Sequence, residues 1–182
     1  MTNHPATPQT HGAGSAGVPP AEPGVSPGSV PDPVIRYAST LERTPEPTQA
    51  PWAPLTKPLN QCRFSLVTTG GVHPKTSEPF DITNDGYDWS FREIPLDAKT
   101  RTLMVTHNHY DHAHVDRDIN AMFPIDRFRE LTKEGVIAGL TARGFGVYGY
   151  IRDPEALARE TAPKIADALK QDGADAVFLT PG

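Results

Sequence analysis

The chain has 182 residues and a formal net charge of −5 at pH 7, a size that suits one ordinary domain. The absence of a basic cluster argues against general nucleic-acid binding, which needs lysines and arginines to displace counterions from phosphates. The sequence has neither a spanning run of about 20 apolar residues nor a cationic start followed by an apolar stretch. We therefore expect no membrane association and a cytoplasmic location.

The first third of the chain is rich in proline, since 13 of the 20 prolines fall in residues 1–60. That stretch also lacks periodic apolar spacing, so burial cannot offset the entropy lost on ordering. Residues 1–50 are predicted to be a disordered leader, and residues 51–182 are predicted to form the folded domain.

The folded part opens with a strand over residues 63–69, which the glycine pair Gly70 and Gly71 turns. Residues 72–100 then read as a long connection with little periodicity. The apolar run at residues 103–105 predicts a second strand that leads directly into a histidine-rich loop.

Pro124 begins a predicted helix that ends near Gly135, and residues 144–151 predict a third strand. Asp153 caps a further helix, which Pro163 should kink or divide. A last strand covers residues 176–179. Strands that alternate with helices predict an α/β fold: a mostly parallel, Rossmann-like sheet with helices on both faces.

Sheets of this kind place their chemistry at the carboxyl ends of the strands, where this sequence carries TTGGVH, THNHYDH and TPG. We expect these three segments to meet at one edge. A parallel strand is normally followed by a covering crossover, so the domain is expected to be incomplete at its C-terminus.

The loop after the second strand concentrates titratable side chains, with four of the seven histidines within eight residues. These residues are His107, His109, His112 and His114, with Asp111 among them. Imidazole titrates near neutrality and also binds borderline metals, so the cluster indicates proton transfer, metal binding or both.

One alternative is a metal-dependent hydrolase, because HNHYDH has the spacing that opens the metal site of the metallo-β-lactamase superfamily. Such enzymes need further ligands downstream, and residues 115–182 contain no histidine. The other alternative is a noncatalytic binding domain or remnant.

Cys62 is the only cysteine and is expected to be a buried apolar residue.

The TTGGVH segment offers hydroxyl groups and backbone amides that could hold a carboxylate or another anion. Thr69, Gly70, Gly71 and His73 are therefore candidate substrate-binding residues. A plain tight turn is the competing interpretation, since glycine is common wherever φ must be positive.

Five ordered segments resemble the selenoprotein B family of glycine, sarcosine, betaine and D-proline reductases, over about residues 58–182. They are CRFSLVTTGGVH, PFD, DWSFREIP, THNHYDHAHVDRDINAMFPIDRFREL and GADAVFLTPG. The resemblance is strongest across the histidine loop and the helix that follows it.

The resemblance implies reductive cleavage of a carbon–nitrogen bond in a small amino acid or its N-methylated derivative. It implies an oxidoreductase acting on X–H and Y–H to form an X–Y bond, with a disulfide as acceptor. It also implies a selenocysteine just after Gly182, a pyruvoyl group on a partner subunit and a thiol or selenol carrier protein, with no metal. Nothing in these residues selects one substrate.

The resemblance also suggests roles for the loop residues. His107, His109 and His112 would donate protons or orient the substrate, and Asp111 would fix a histidine tautomer. Tyr110 would stack on the substrate or donate a hydrogen bond to it.

Overall fold

The computed structural model describes residues 53–182, so the predicted leader over residues 1–50 lies outside the described part. Seven strands, four α-helices and one π-helical turn build the described fold. The strands are β1 Arg63–Thr68, β2 Val72–Pro74, β3 Phe91–Pro95, β4 Leu103–Val105, β5 Gly139–Leu140, β6 Arg143–Val147 and β7 Ala176–Thr180; the helices are α1 Ala113–Arg117, α2 Ile125–Lys133, α3 Pro154–Ala156 and α4 Ala162–Gln171, with the π-helical turn Leu157–Thr161 between the last two.

The main sheet is mostly parallel, as predicted. β1 pairs in parallel with β7 along one side, and with β5 and then β6 along the other. β3 joins the far side of β6 as an antiparallel strand. β1 is therefore central, and its carboxyl end lies beside the carboxyl ends of β6 and β7.

The alternating side chains of β1 pack on different faces of the sheet, as expected for a pleated strand. Phe64 and Leu66 belong to the core that includes Phe128 of α2. Val67 packs against the second core cluster, where Ile165 of α4 contacts Phe145. Helices thus cover both faces, which confirms the predicted α/β class.

The strand at residues 103–105 does not join the main sheet, which corrects one expectation. β4 pairs in antiparallel fashion with β2, a strand inside the segment that we predicted to be a long connection. β3 also lies in that segment. A strand of three residues such as β2 is too short for its apolar period to appear in the sequence.

The glycines of β6 have a packing reason. A Cβ atom built on Gly146 would lie 1.8 Å from the carbonyl oxygen of Val72, because β2 crosses closely over β6. A larger residue at position 146 would push the two-stranded ladder away from the main sheet. Glycine in this strand is therefore required by the fold, although it weakens the sequence signal for a strand.

The helix predicted after Asp153 is divided, as the internal proline indicated. The Asp153 carboxylate accepts a hydrogen bond from the Ala156 N–H at 2.9 Å and so caps α3. The π-helical turn follows, and Pro163 then occupies the first turn of α4. The π-helical turn shifts the hydrogen-bond register just before the proline, since the Ala162 N–H donates to the Leu157 carbonyl, and such a shift accommodates a residue that has no N–H to donate.

β7 is an edge strand with an apolar surface. Val177, Phe178 and Leu179 expose 38%, 42% and 70% of their surface, respectively. Such a run is typical of a strand that is covered on both faces in a parallel sheet.

Among the described residues, no helix has the length and apolar character that crossing a membrane requires.

Candidate functional site

Two of the three predicted strand ends meet directly. The backbone N–H of Gly182, after β7, donates to the hydroxyl of Thr69, after β1, at 3.0 Å. The N–H of Thr69 in turn donates to the carbonyl of Thr180 at 3.0 Å. The expectation that TTGGVH and TPG lie at one edge of the sheet is confirmed.

The histidine loop joins this edge through Gly71. Its φ angle of +69° lies in the left-handed region, and a Cβ atom there would lie 2.3 Å from the carbonyl oxygen of Thr106. The Thr106 N–H donates to the Gly71 carbonyl at 2.9 Å. Only glycine allows this approach, which brings the residues after β4 against the residues after β1.

The backbone amides of the TTGGVH turn are already engaged, contrary to our expectation. The Gly70 N–H donates to the hydroxyl of Thr68 at 3.1 Å, and the Gly71 N–H donates to the carbonyl of Val147 at 3.0 Å. These groups stabilise the turn, so the predicted use of exposed amides to hold an anion does not match the structure.

His73 is a buried histidine with both ring nitrogens bonded. Its Nδ1 lies 2.8 Å from the carbonyl of Pro74, and its Nε2 lies 2.8 Å from the hydroxyl of Thr106. Only 1% of its surface is exposed. Burial lowers the pKa of His73, and the nearby Arg92 charge adds to this effect. In this structure His73 stabilises the β2–β4 ladder rather than facing the site.

His107 lies beneath the loop, between two tyrosines. Its ring centroid is 4.7 Å from the ring centroids of both Tyr110 and Tyr148, and its Nδ1 accepts a hydrogen bond from the His109 N–H at 3.1 Å. Burial lowers the pKa of His107 to about 4, helped by the neighbouring histidines. His107 is therefore neutral near pH 7 and cannot serve as an imidazolium proton donor there.

His109 is the exposed histidine of the loop, and two tyrosines and an asparagine hold it. Its Nδ1 lies 2.7 Å from Oδ1 of Asn108 and 3.1 Å from the hydroxyl of Tyr148. Its ring stacks on Tyr150 with centroids 3.5 Å apart and an interplanar angle of 11°. Geometry of this kind holds an imidazole in one orientation while its far edge stays accessible.

The carboxylate beside His112 is not the one that we predicted. Asp116 of α1 contacts Nδ1 of His112 at 2.7 Å, whereas Asp111 accepts a hydrogen bond from the Ala113 N–H at 3.0 Å. Asp111 shapes the turn into α1, because an aspartate bonds readily to the backbone two residues ahead. His114 is exposed on α1.

Tyr110 connects the histidine loop to the glycine turn. Its hydroxyl donates to the carbonyl of Gly70 at 2.8 Å. Burial raises the pKa of Tyr110 to about 12, and the charge of Asp116 adds to this effect. The phenol therefore stays protonated near neutrality. This protonation state fits the predicted role of Tyr110 as a hydrogen-bonding group.

The described residues contain no group of three or more histidine, cysteine, aspartate or glutamate side chains placed to hold a metal ion. Cys62 is fully buried, as predicted, and its thiol donates to the carbonyl of Pro58 at 3.3 Å. It precedes β1, so the length of that strand, about 20 Å, separates it from Thr69.

Three residues of the site were missed from the sequence: Asn108, Tyr148 and Tyr150. We predicted the third strand to run to residue 151, but β6 ends at Val147. Tyr148 pairs with Gly70 through an isolated bridge at the carboxyl end of the strand. The rule that singled out the other strand ends would have found both tyrosines if the end of β6 had been placed correctly.

The fold and the site define a class of protein: an α/β domain with a histidine- and tyrosine-lined edge where β1, β6 and β7 end. The family model for glycine/sarcosine/betaine reductase selenoprotein B matches residues 37–182. The chain therefore belongs to this family, as the resemblance indicated. The match begins before residue 51, where we predicted the domain to start.

The relatives of this chain are reductase subunits. It is 45% identical over 139 residues to D-proline reductase subunit gamma of Acetoanaerobium sticklandii. This alignment covers 76% of this chain and 55% of the relative. It is 33% identical over 135 residues to the glycine reductase complex component B subunit gamma of Symbiobacterium thermophilum, covering 72% of this chain and 31% of the relative.

A betaine reductase complex component B subunit beta of Peptoclostridium acidaminophilum is 29% identical over 126 residues, with coverage of 68% of this chain and 29% of the relative. The chain thus spans about half the length of the first relative and about a third of the others. No solved structure matches the chain. These relatives support a reductase role in general terms.

Proposed function

We propose that this chain is part of a subunit of a reductase complex that cleaves the carbon–nitrogen bond of a small amino acid. D-proline is the first substrate to consider, because of the 45% identity to a D-proline reductase subunit. The observation that carries the proposal is the meeting of Thr69, Gly182 and the histidine loop at one edge of the sheet.

The reaction consumes two electrons and two protons. The bond between the nitrogen and the carbon beside the carboxylate breaks, and each of these two atoms gains a hydrogen. A selenol–thiol or dithiol pair supplies the electrons and becomes a selenenylsulfide or disulfide, while a pyruvoyl group on a partner subunit activates the amine. This is the oxidoreductase class in which X–H and Y–H form an X–Y bond with a disulfide as acceptor.

The position of β7 is consistent with a selenol or thiol in the residues that follow this strand in a longer protein. Thr180 Oγ1 is buried and has no hydrogen-bond partner among the described residues, so it could donate to a group at this edge. Cys62 lies at the opposite end of β1 and does not fit this role. A thiol or selenol carrier protein would restore the reduced pair after each turnover.

The exposed histidines of the loop carry protons in this proposal. His109 and His112 are open to solvent or partly so, whereas His107 is neutral and packs beneath them. The Thr69 hydroxyl and Tyr110 lie beside the same edge and are the proposed substrate contacts. Asp111 would act only through the shape of the turn.

The test is an assay of the full-length protein, purified with its partner subunits and supplied with a dithiol reductant. We expect D-proline to be converted to 5-aminopentanoate, followed by mass spectrometry, with glycine, sarcosine and betaine assayed in parallel. Reduction of none of the four by the complete assembly would contradict the proposal.

A matched control is Cys62→Ala, which removes a thiol far from the site. We expect this variant to keep its activity, because the Cys62 side chain is buried at the other end of β1. Loss of activity in a correctly folded Cys62→Ala protein would indicate that Cys62 is the reactive thiol and would contradict the proposed location of the site.

A further inference from the structure

We infer that Asn108 is the positioning residue that holds His109 as its Nδ1–H tautomer, with Tyr148 bonded to the same amide oxygen, so that Nε2 is the atom that accepts a proton. The catalytic meaning of this inference rests on the proposed function. The tautomer itself does not, because it follows from the hydrogen bonds around Asn108.

The orientation of the Asn108 amide is set from outside the loop. Its Nδ2 donates to the backbone carbonyl of Ile82 at 3.2 Å. A carbonyl can only accept, so the amide nitrogen must face Ile82, and the amide oxygen must face the other way. The segment that contains Ile82 therefore decides which polar atom Asn108 presents to His109.

The amide oxygen of Asn108 receives two groups. The hydroxyl of Tyr148 donates to Oδ1 at 2.6 Å, and Nδ1 of His109 lies 2.7 Å from the same atom. An amide oxygen has no proton to give, so Nδ1 must carry the hydrogen of the second bond. In a neutral imidazole this leaves Nε2 unprotonated.

Tyr148 is suited to this place because it is fully buried and remains a phenol. Burial raises its pKa to about 12, helped by the neighbouring Tyr150 and by nearby aspartates. Its hydroxyl also lies 3.1 Å from Nδ1 of His109. Since the phenol proton goes to Asn108, the hydroxyl oxygen can only reinforce the Nδ1–H form.

The remaining contacts leave Nε2 accessible. Tyr150 covers one face of the His109 ring, and His107 uses its Nδ1 to accept from the His109 backbone rather than from its ring. Among the described residues, Nε2 of His109 has no hydrogen-bond partner, and the side chain is exposed. A base oriented by a third group, which leaves one nitrogen free, is the general arrangement for proton transfer to and from a nucleophile.

The tautomer can be measured directly by long-range proton–nitrogen NMR on the ¹⁵N-labelled 182-residue chain above pH 7.5. We expect a protonated Nδ1 and an unprotonated Nε2 for His109, assigned by the signals that disappear in His109→Gln. A protonated Nε2 in the unmodified chain would overturn the inference.

Two substitutions separate the contributions. Asn108→Ala should abolish the preference for Nδ1–H, because it removes the acceptor. Tyr148→Phe should retain the preference, because Oδ1 of Asn108 still accepts from the ring. Asn60→Ala, an exposed asparagine of the turn Leu59–Gln61, is the matched control and should change nothing. An unchanged His109 pattern in Asn108→Ala would contradict the assignment.

The catalytic consequence is tested in the full-length reductase complex. We expect Asn108→Ala to lower kcat by about tenfold or more with little change in KM, because positioning partners typically contribute a factor of that size. Asn108→Asp keeps an acceptor oxygen and should recover part of the loss. A kcat within twofold of the unmodified enzyme in Asn108→Ala would remove the positioning role.

The two experiments fail independently. If the complete assembly reduces no amino acid, the proposed function is wrong, while the NMR result still decides the tautomer. If the complex is active and His109 carries its proton on Nε2, the function stands and the positioning role of Asn108 is wrong.

Discussion

His73 lies in β2 of the two-stranded ladder, and His109 lies in the loop that follows β4 of the same ladder, yet their surroundings differ. His73 is buried, and both of its ring nitrogens are bonded to β2 or to Thr106. His109 is exposed, and among the described residues the hydrogen bonds of its ring engage only Nδ1. The comparison teaches that the number of free ring nitrogens, rather than closeness to the site, separates a structural histidine from one that can transfer protons.

The largest expected effect is on turnover. His109→Ala should lower kcat of the full-length complex by roughly 10²–10⁴-fold, the usual contribution of a positioned acid or base. Its thermal midpoint should remain close to that of the unmodified protein, since the side chain is exposed. Steady-state assays and thermal scans on the same samples measure both. A variant that keeps more than a tenth of the activity would place the proton transfer elsewhere.

The opposite result is expected for His73. His73→Ala should reduce the free energy of unfolding by about 2–5 kcal/mol, because it opens a cavity and leaves the Thr106 hydroxyl without its partner. Urea unfolding of the 182-residue chain measures this loss. His114→Ala, at an exposed histidine of α1, is the control and should cost under about 0.5 kcal/mol. Equal losses in both variants would contradict the comparison.

The fold was predictable where the apolar pattern is long. β1, α2, α4 and β7 each carry several apolar residues in a run or at helical spacing, and all four were expected from the sequence. β4 was expected as a strand, but β2 and the pairing of β4 with it were not predicted, because β2 has only three residues and lies within a segment of little periodicity. Its position is fixed by a tertiary contact, the crossing of β2 over Gly146.

The site was predictable as a place but not as a set of contacts. The strand-end rule brought Thr69 and Gly182 together, and the histidine spacing singled out the loop. The partners of the histidines follow from distant segments, such as Ile82 orienting Asn108. The assignment of Asp111 as the partner of a histidine failed because the turn into α1 directs Asp116 to His112 instead.

Acidification should lower the free energy of unfolding through the buried histidines, which separates them further from the exposed His109. Burial lowers the pKa of His107 to about 4, so the unfolded chain, with a histidine pKa of about 6.5, binds a proton first as the pH falls. The contribution to stability is therefore complete above about pH 6.5 and declines as the pH falls towards 4. The loss of stability amounts to about 1 kcal/mol by pH 5.5 and to about 3 kcal/mol over the whole interval.

Urea unfolding at several pH values between 7 and 4 measures this dependence. His107→Gln cannot titrate, so its stability should fall less on acidification than that of the unmodified chain. The remaining dependence would include His73, whose pKa is also lowered by burial. An identical pH dependence in His107→Gln would show that His107 is already charged in the folded protein at pH 5.5.

The smallest expected effect concerns the contact between His112 and Asp116. The two side chains are 38% and 54% exposed, so water screens their contact even at 2.7 Å. Asp116→Asn should therefore cost no more than about 0.5 kcal/mol in urea unfolding, similar to the exposed control Asp97→Asn. A loss above about 1.5 kcal/mol would mean that the start of α1 is held by this pair and that His112, like His73, stabilises the fold. A small loss would leave His112 with His109, among the histidines that can exchange protons without weakening the domain.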